Sequence, residues 1–213
     1  MRVTAFELGP FLARSVVLEA EDSSGAVLVD PGFDVEVVLE EVQRRRVPVT
    51  AIVLTHAHLD HAYGAAEAKR AFPSAPLLLH RDDLPLLRNL AMQATMFGFP
   101  APEAVREDGE LRDGDTVTVG NESVLVRHTP GHSPGHVVLI ATATTPPVAV
   151  VGDVLFAGSI GRTDLWGGSL PALERSIREV LYRLPGETRV VPGHGPDTTV
   201  AVEMATNPFV PDR

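Results

Sequence analysis

The sequence predicts an α/β protein in which two β-sheets pack face to face with helices on their outer sides. Short apolar runs typical of strands occur in both halves of the chain, and helical patterns follow the strand runs in each half. No linker or low-complexity tract divides the 213 residues. The length and this continuity predict a single domain over residues 1–213.

In the first half, short runs rich in Val and Leu alternate with amphipathic segments. Asp34 is expected to cap the first helix, and three arginines near its C-terminal end complement the helix dipole. The predicted strands of this half are 2–8, 11–20, 25–29, 50–54 and 76–79, and the predicted helices are 35–46, 62–71 and 81–90.

In the second half, Ser169 is expected to cap a long helix that has Pro171 in its first turn. The apolar segment 91–102 lacks a clear period, so it is either a packed connection between helices or an apolar lid. The predicted strands are 116–119, 123–127, 137–141, 148–151 and 188–191, and the predicted helices are 169–184 and 198–205.

Charge and composition restrict the classes of partner. The net charge is -10 and the sequence pI is near 5.2, which argues against nucleic acid and anionic membranes as partners. The chain has no cysteine, which excludes disulfides, thiolate metal ligands and a cysteine nucleophile. With no apolar run of about 20 residues and no signal-peptide core, a cytoplasmic protein acting on a small molecule is expected.

Three of the eight histidines follow the predicted buried strand 50–54 directly, in the run THAHLDH. In an extended segment, His56 and His58 point the same way, and Asp60 and His61 fall where the chain turns into a helix. Four such polar groups at a strand end would be unsatisfied unless something bound them. Imidazole and carboxylate ligands suit Zn²⁺, Fe or Mn, so this run predicts a metal site.

Three further polar residues follow predicted strands in glycine-containing turns: His132, Asp153 and His194. Each has a glycine beside it, which allows a sharp turn and a close backbone approach to a ligand. They are therefore candidate metal ligands, although Asp153 taken alone is more typical of an ordinary turn.

The remaining polar residues near these motifs have simpler predicted roles. His80 is expected to lie at the surface or to support the site, His128 is expected to be structural, and His136 is expected to support the site by hydrogen bonding or packing. Asp30, in Asp-Pro-Gly, either supports the site or simply marks a turn.

The ordered motifs THAHLDH, PGHSPGH, VGDVLF and PGHG resemble the metallo-β-lactamase superfamily over nearly the whole chain. Within it, the stretch GSIGRTD at 158–164 is similar to short bacterial glyoxalase II-like hydrolases, and persulfide dioxygenases carry a similar GRTD stretch. The resemblance implies an α/β fold that is a four-layer αββα sandwich of two mixed β-sheets flanked by helices.

The resemblance also implies two divalent metal ions, with zinc expected first and iron or manganese as alternatives. The implied division puts His56, His58 and His132 on one metal and Asp60, His61 and His194 on the other, with Asp153 bridging. Seven ligands are too many for one tetrahedral metal, which agrees with this division. A hydroxide shared by the metals would be the nucleophile, and Asp60 would assist in proton transfer.

The resulting hypothesis is a binuclear hydrolase that cleaves a thioester. Arg162 is the candidate substrate-binding residue, because a guanidinium is well suited to bind a carboxylate on the substrate. A surface ion pair between Arg162 and Asp164 explains the arginine equally well. The alternative function is an iron-dependent persulfide dioxygenase. It is disfavoured because His136 stands where those proteins tend to have a cysteine. A β-lactamase is a weaker interpretation, because many zinc lactamases have a cysteine in place of Asp153.

Overall fold

The computed structural model describes residues 1–211 and consists of two compact units, each containing a β-sheet and helices. The first unit comprises Met1–Leu111 and Val117–Ser123. The second comprises Arg112–Thr116 and the chain from Val124 onward. The final two positions of the predicted domain 1–213 lie outside the described residues, and the single-domain assignment stays a prediction.

The sheet of the first unit has six strands in the order β1-β2-β3-β4-β5-β6. The first three strands form an antiparallel meander, and β3 to β6 pair in parallel, so the sheet is mixed. The strands are β1 (Arg2–Leu8), β2 (Ala13–Glu19), β3 (Ala26–Val29), β4 (Val49–Val53), β5 (Leu77–His80) and β6 (Gly109–Leu111). The helices are α1 (Glu36–Arg45), α2 (Leu59–Ala62), α3 (Ala65–Ala71), α4 (Leu84–Arg88) and α5 (Leu90–Phe97).

Strand β3 and residues 51–53 of β4 are apolar and buried on both faces of the sheet, which is why they appear in the sequence as continuous apolar runs. Ile52 and Leu77 are fully buried in one core, together with Val38 of α1. The apolar stripe on α1 thus covers the sheet, and the rigid strand β4 carries the loop that holds the histidine motif.

The second sheet has the strand order β14-β13-β10-β9-β8-β7. It is also mixed, because β10 pairs in parallel with β13 and antiparallel with β9. Its strands are β7 (Thr116–Val119), β8 (Glu122–His128), β9 (Val137–Ala141), β10 (Val148–Gly152), β13 (Arg189–Pro192) and β14 (Thr198–Thr199). A small hairpin consists of β11 (Leu155–Phe156) and β12 (Ser159–Ile160), and the helices are α6 (Leu170–Glu179) and α7 (Val200–Thr206).

Helix α6 begins as the sequence predicts. The hydroxyl of Ser169 accepts a hydrogen bond from the backbone N–H of Ala172, and Pro171 lies in the first turn. Gly131 lies against this first turn with a φ of 141°, and a Cβ at this position would overlap the backbone of Leu173. The turn that precedes His132 is therefore packed tightly on the start of α6.

Two local predictions in the first unit are wrong. Asp34 does not cap α1: it has a left-handed φ of 52°, and the N-cap position is Val35, with no side-chain hydrogen bond. The predicted helix 81–90 is instead a 3-10 turn (Arg81–Asp83) followed by α4, because the chain bends again before α5 begins. The aperiodic segment 91–102 is helical as far as Phe97 and ends at Gly98, which has a φ of 78°.

The expected fold class, α/β with two mixed sheets flanked by helices, is confirmed. The strands that the sequence did not predict, β6, β11, β12 and β14, are each two or three residues long. Among the described residues, no helix is both long enough and apolar enough to cross a membrane.

Candidate metal centre

In the first unit, the four candidate ligands lie together at the carboxyl end of β4. His56 and His58 lie in the loop after the strand, and Asp60 and His61 lie in α2. The ring centroids of His56 and His58 are 4.8 Å apart, and those of His56 and His61 are 4.3 Å apart. His61 Nε2 is 3.6 Å from Asp60 Oδ2. His56 and His61 are fully buried, so this end of β4 is a compact group of metal-ligating side chains.

Asp30 lies beneath this group and orients it. Its carboxylate accepts hydrogen bonds from the N–H and the hydroxyl of Thr55, each at 2.6 Å. Its Oδ2 is also 3.1 Å from Nδ1 of His61. Metal-ligating histidines typically have such a carboxylate on their second nitrogen, which fixes the ring. The sequence left open whether Asp30 supports the site or only marks a turn, and these hydrogen bonds favour the supporting role.

In the second unit, the remaining three candidates lie together. They follow the carboxyl ends of β8, β10 and β13. Asp153 Oδ2 is 3.6 Å from His132 Nε2 and also 3.6 Å from His194 Nε2. The carboxylate thus lies between the two imidazoles, which is the position that a bridging ligand needs. His132 and Asp153 are buried, and the His194 side chain is 28% exposed.

His136 supports this second group, as predicted. Its Nε2 accepts a hydrogen bond from the backbone N–H of Asp153 at 3.0 Å. Its Nδ1 is 3.3 Å from the hydroxyl of Thr129. Since Nε2 is an acceptor here, Nδ1 carries the proton and His136 acts through Asp153.

The two other histidines make hydrogen bonds to the backbone. His80 ends β5, and its Nδ1 accepts a hydrogen bond from the N–H of Asp82 at 3.3 Å. His128 Nε2 is 2.9 Å from the carbonyl oxygen of Pro134, to which it donates.

Arg162 lies in the loop after β12 and makes the ion pair that the sequence offered as one alternative. Its Nε is 2.7 Å from Asp164 Oδ1, and a second guanidinium nitrogen is 2.8 Å from Oδ2. The arginine side chain is 57% exposed. Its hydrogen bonds lower the pKa of Asp164 to about 2, and those to Asp164 raise the pKa of Arg162. A role of Arg162 in substrate binding stays a prediction.

Glycines lie against the backbones of two candidate ligands. A Cβ at Gly32 would overlap the carbonyl oxygen of Asp60. A Cβ at Gly161 would overlap the carbonyl oxygen of Asp153 and would lie 3.2 Å from His132 Nδ1. Each close approach requires the absence of a side chain.

Two residues that the sequence analysis did not single out hold the loop after β4. Asp83 is fully buried, and its carboxylate accepts the N–H of Ala57 at 3.0 Å. The amide of Gln93 bonds the carbonyl oxygen of Ala57 and the N–H of Leu59. The available signal for Gln93 was a polar residue with a long side chain inside an otherwise apolar segment.

The donor atoms fit a divalent transition metal. Within each unit the cluster contains only imidazole nitrogens and carboxylate oxygens, which are ligands of zinc, iron and manganese. The Nδ1 atoms of His61 and His132 have partners in the protein, so Nε2 is the nitrogen with which each could bind a metal. The residues that would hold metal in the first unit are His56, His58, Asp60 and His61, and those in the second are His132, Asp153 and His194.

Comparison with known proteins agrees with this fold. The profile of the Metallo-beta-lactamase superfamily matches residues 8–194. Hydroxyacylglutathione hydrolase GloC of Haemophilus influenzae is 33% identical, over 98% of this chain and 95% of its own length. A protein named Probable metallo-hydrolase YqgX, of Bacillus subtilis, is 34% identical, over 99% and 98%.

Solved structures are similar over almost the full chain. The BLEG-1 B3 metallo-beta-lactamase has a TM-score of 0.89 and 38% identity, over 98% of this chain and 99% of that one. TTHA1623, solved in a di-iron-bound form, has a TM-score of 0.87 and 39% identity, over 97% and 99%. ETHE1 from Myxococcus xanthus has a TM-score of 0.81 and 26% identity, over 99% and 84%. The motifs, the two mixed sheets and these matches together establish that the chain belongs to the metallo-beta-lactamase superfamily.

Proposed function

We propose that this protein is a binuclear metal-dependent hydrolase that cleaves a thioester. The observation that carries the proposal is the position of Asp153, whose Oδ2 is 3.6 Å from Nε2 of both His132 and His194. A carboxylate between two imidazoles is suited to bridge two cations, because it offers negative charge to both. Membership in a superfamily that includes metallo-hydrolases supports the same conclusion.

In this proposal the two clusters hold one pair of metal ions. His56, His58 and His132 bind the first ion, Asp60, His61 and His194 bind the second, and Asp153 binds both. Zinc is the expected metal. Iron and manganese are the alternatives, and a similar protein is known in a di-iron form.

Two such ions, when bound, supply Lewis acidity and lower the pKa of bound water, so hydrolysis needs no serine or cysteine nucleophile. The protein supplies orientation: Asp30 fixes the His61 ring, and His136 holds the backbone of Asp153. Asp60, whose side chain is 20% exposed, is the group proposed to accept and release a proton.

The proposed substrate is a small thioester, and the cytoplasm is the proposed location. The similarity to GloC, a hydroxyacylglutathione hydrolase by name, supports this class of substrate. Arg162 would contact an anionic group on the thiol portion, since its exposed guanidinium offers a planar fork of donors. Nucleic acid and membranes are not proposed as partners.

The test uses protein loaded with zinc, iron or manganese and assays thioester cleavage together with the metal content per chain. We expect about two metals per chain and thioester cleavage that disappears on chelation. His132→Gln should lose both properties, whereas the matched variant His128→Gln should keep them, because His128 Nε2 donates to the carbonyl oxygen of Pro134 and His128 is not one of the proposed ligands of the metal pair.

Two other activities are outcomes of the same test. Oxygen uptake with glutathione persulfide, about one iron per chain and no thioester cleavage would replace the proposal with an iron-dependent persulfide dioxygenase. Hydrolysis of a β-lactam would favour the activity for which the similar protein BLEG-1 is named.

A further inference from the structure

The loop that carries His58 has an unusual helix start. His58 occupies the N-cap position of α2, with an extended backbone at φ -72° and ψ 155°, and its side chain makes no capping hydrogen bond. The first backbone N–H groups of a helix have no partner within the helix, and the N-cap side chain usually supplies one. At this helix start, a residue of another helix supplies the partner for the first N–H, that of Leu59.

Gln93 takes that role from a different helix. Its Oε1 accepts the N–H of Leu59, the first residue of α2, at 3.0 Å. Its Nε2 donates to the carbonyl oxygen of Ala57 at 3.1 Å. One amide group therefore bonds the backbone on both sides of His58.

The orientation of the Gln93 amide is determined by its partners. The Nε2 side faces two carbonyl oxygens, those of Ala57 and Leu86, at 3.1 and 3.0 Å, and carbonyl oxygens only accept. The Oε1 side faces an N–H, which only donates. A 180° rotation of the amide would break all three hydrogen bonds. Gln93, in α5, therefore connects α5 to α4 and to the loop after β4 in a single amide orientation.

We propose that Gln93 is a positioning residue for the metal ligand His58. This inference rests on the proposed function, because it assumes that His58 binds metal. Gln93 holds the peptide groups on both sides of His58, and so it fixes the backbone from which the imidazole extends. Asp83, which accepts the N–H of Ala57 at 3.0 Å, completes the set of side chains around this peptide.

The test measures Zn²⁺ affinity by competition with a chelator of known affinity, using the full chain. Gln93→Met keeps the length of the side chain and removes all three bonds. Gln93→Glu keeps the acceptor for Leu59 but places a carboxylate oxygen against two carbonyl oxygens. The matched control is Thr95→Ala, which removes a bond from the exposed Thr95 hydroxyl to Ala91 within the same helix.

We expect both Gln93 variants to bind one of the two zinc equivalents about 10- to 100-fold more weakly, the effect typical of losing a partner of a metal ligand. The affinity for the second equivalent should stay close to that of Thr95→Ala, whereas the melting temperature of the metal-free form should fall in both Gln93 variants, because backbone groups lose their partners. The Glu variant determines the cause, because added negative charge alone would strengthen zinc binding, whereas lost positioning weakens it.

The outcomes separate the two proposals. Wild-type protein that binds fewer than two zinc ions overturns the proposed function and this inference together. Two tightly bound zinc ions in the wild type and in both Gln93 variants overturn the inference alone. Equal weakening in Thr95→Ala, or tighter binding in Gln93→Glu, would also overturn it.

Discussion

His132 donates its Nδ1 hydrogen to the backbone carbonyl oxygen of Arg162 across 2.8 Å. A carbonyl oxygen only accepts, so the proton lies on Nδ1, and Nε2, the nitrogen 3.6 Å from Asp153, has the lone pair. The bond uses the backbone of Arg162 and leaves its guanidinium for Asp164. Position 162 therefore has two separable roles, one in the chain and one in the side chain.

Replacing Arg162 with Ala should test the side chain alone, because the carbonyl that orients His132 remains. We expect unchanged metal content and a loss of about 10- to 100-fold in kcat/KM for anionic thioesters, from a lost charge-assisted contact of about 1.5–3 kcal/mol. The loss should appear mainly in KM. Neutral thioesters should be cleaved at the wild-type rate.

The control for that measurement is Asp164→Asn, which keeps the guanidinium and removes its charged partner. Steady-state kinetics on one anionic and one neutral thioester would compare the variants. Equal losses on both substrates in Arg162→Ala would mean that the side chain supports the loop rather than the substrate.

The carboxyl group of Asp164 should have a different pKa in Arg162→Ala. Hydrogen bonds from Arg162 are the largest cause that lowers its pKa to about 2 from the ordinary value of 3.8. Without the guanidinium, the pKa should rise toward that ordinary value, which an NMR pH titration of the side chain would measure. A pKa that stays near 2 would mean that the backbone hydrogen bond is sufficient.

The direction of the linked stability follows from the lowered pKa. The stabilisation by this pair is fully present above pH 3.8, where the carboxyl is ionised in both states, and it is lost as the pH falls through about 2. The group is on the surface, so the contribution is small. The difference in the free energy of unfolding between wild type and Arg162→Ala should therefore shrink as the pH falls below 3.8.

Asp153→Asn should remove metal and activity together. The amide keeps the shape of the side chain but has no charge to screen two cations from each other, so their repulsion is uncompensated. We expect metal affinity to fall by more than about 100-fold, since losing a supporting residue alone costs about 10- to 100-fold. Metal analysis after dialysis would show the change, with Asp197→Asn, at a surface ion pair, as the control.

A near-normal rate and two retained metals in Asp153→Asn would contradict the bridging role. The substitution leaves the backbone N–H that His136 accepts, so the turn itself should survive. Circular dichroism of the variant would check this.

Metal removal should lower the melting temperature without unfolding the protein. Metal that binds only the native state adds about 4 kcal/mol per site when free metal is a thousandfold above Kd. For a chain of this size, each kcal/mol lost lowers the melting temperature by about 2–4 °C. Calorimetry with and without a chelator would measure the shift. Loss of a cooperative transition in the chelated protein would mean that the apolar cores of the two units do not hold alone.

The candidate ligands could be predicted because their signal is local. The run 56–61, shortly after β4, contains three histidines and Asp60 within six positions. Glycines mark the turns that contain His132, Asp153 and His194. Ser169 was predictable as a cap for the same reason, since the pattern of capping residue, proline and apolar stripe lies within a few positions.

The two residues that hold the loop after β4, Asp83 and Gln93, could not be predicted, because their partners are distant in the sequence. Gln93 is 34 positions from Leu59, and Asp83 is 26 from Ala57. Nothing near either residue indicates a bond to that loop. Asp34 failed as a predicted cap because its backbone is left-handed, with a φ of 52°, whereas a capping residue needs an extended backbone.

Gly32 and Gly161, whose hydrogen atoms face the carbonyl oxygens of Asp60 and Asp153, restrict which substitutions the protein can accumulate. Neither residue has a functional group, yet any larger residue there would displace a ligand-bearing backbone. In a library of random variants selected for activity, both positions should be as intolerant as the histidines, and against alanine as much as against charged residues. Substitutions around the candidate site are therefore limited by the space at these two glycines as well as by the chemistry of its polar side chains.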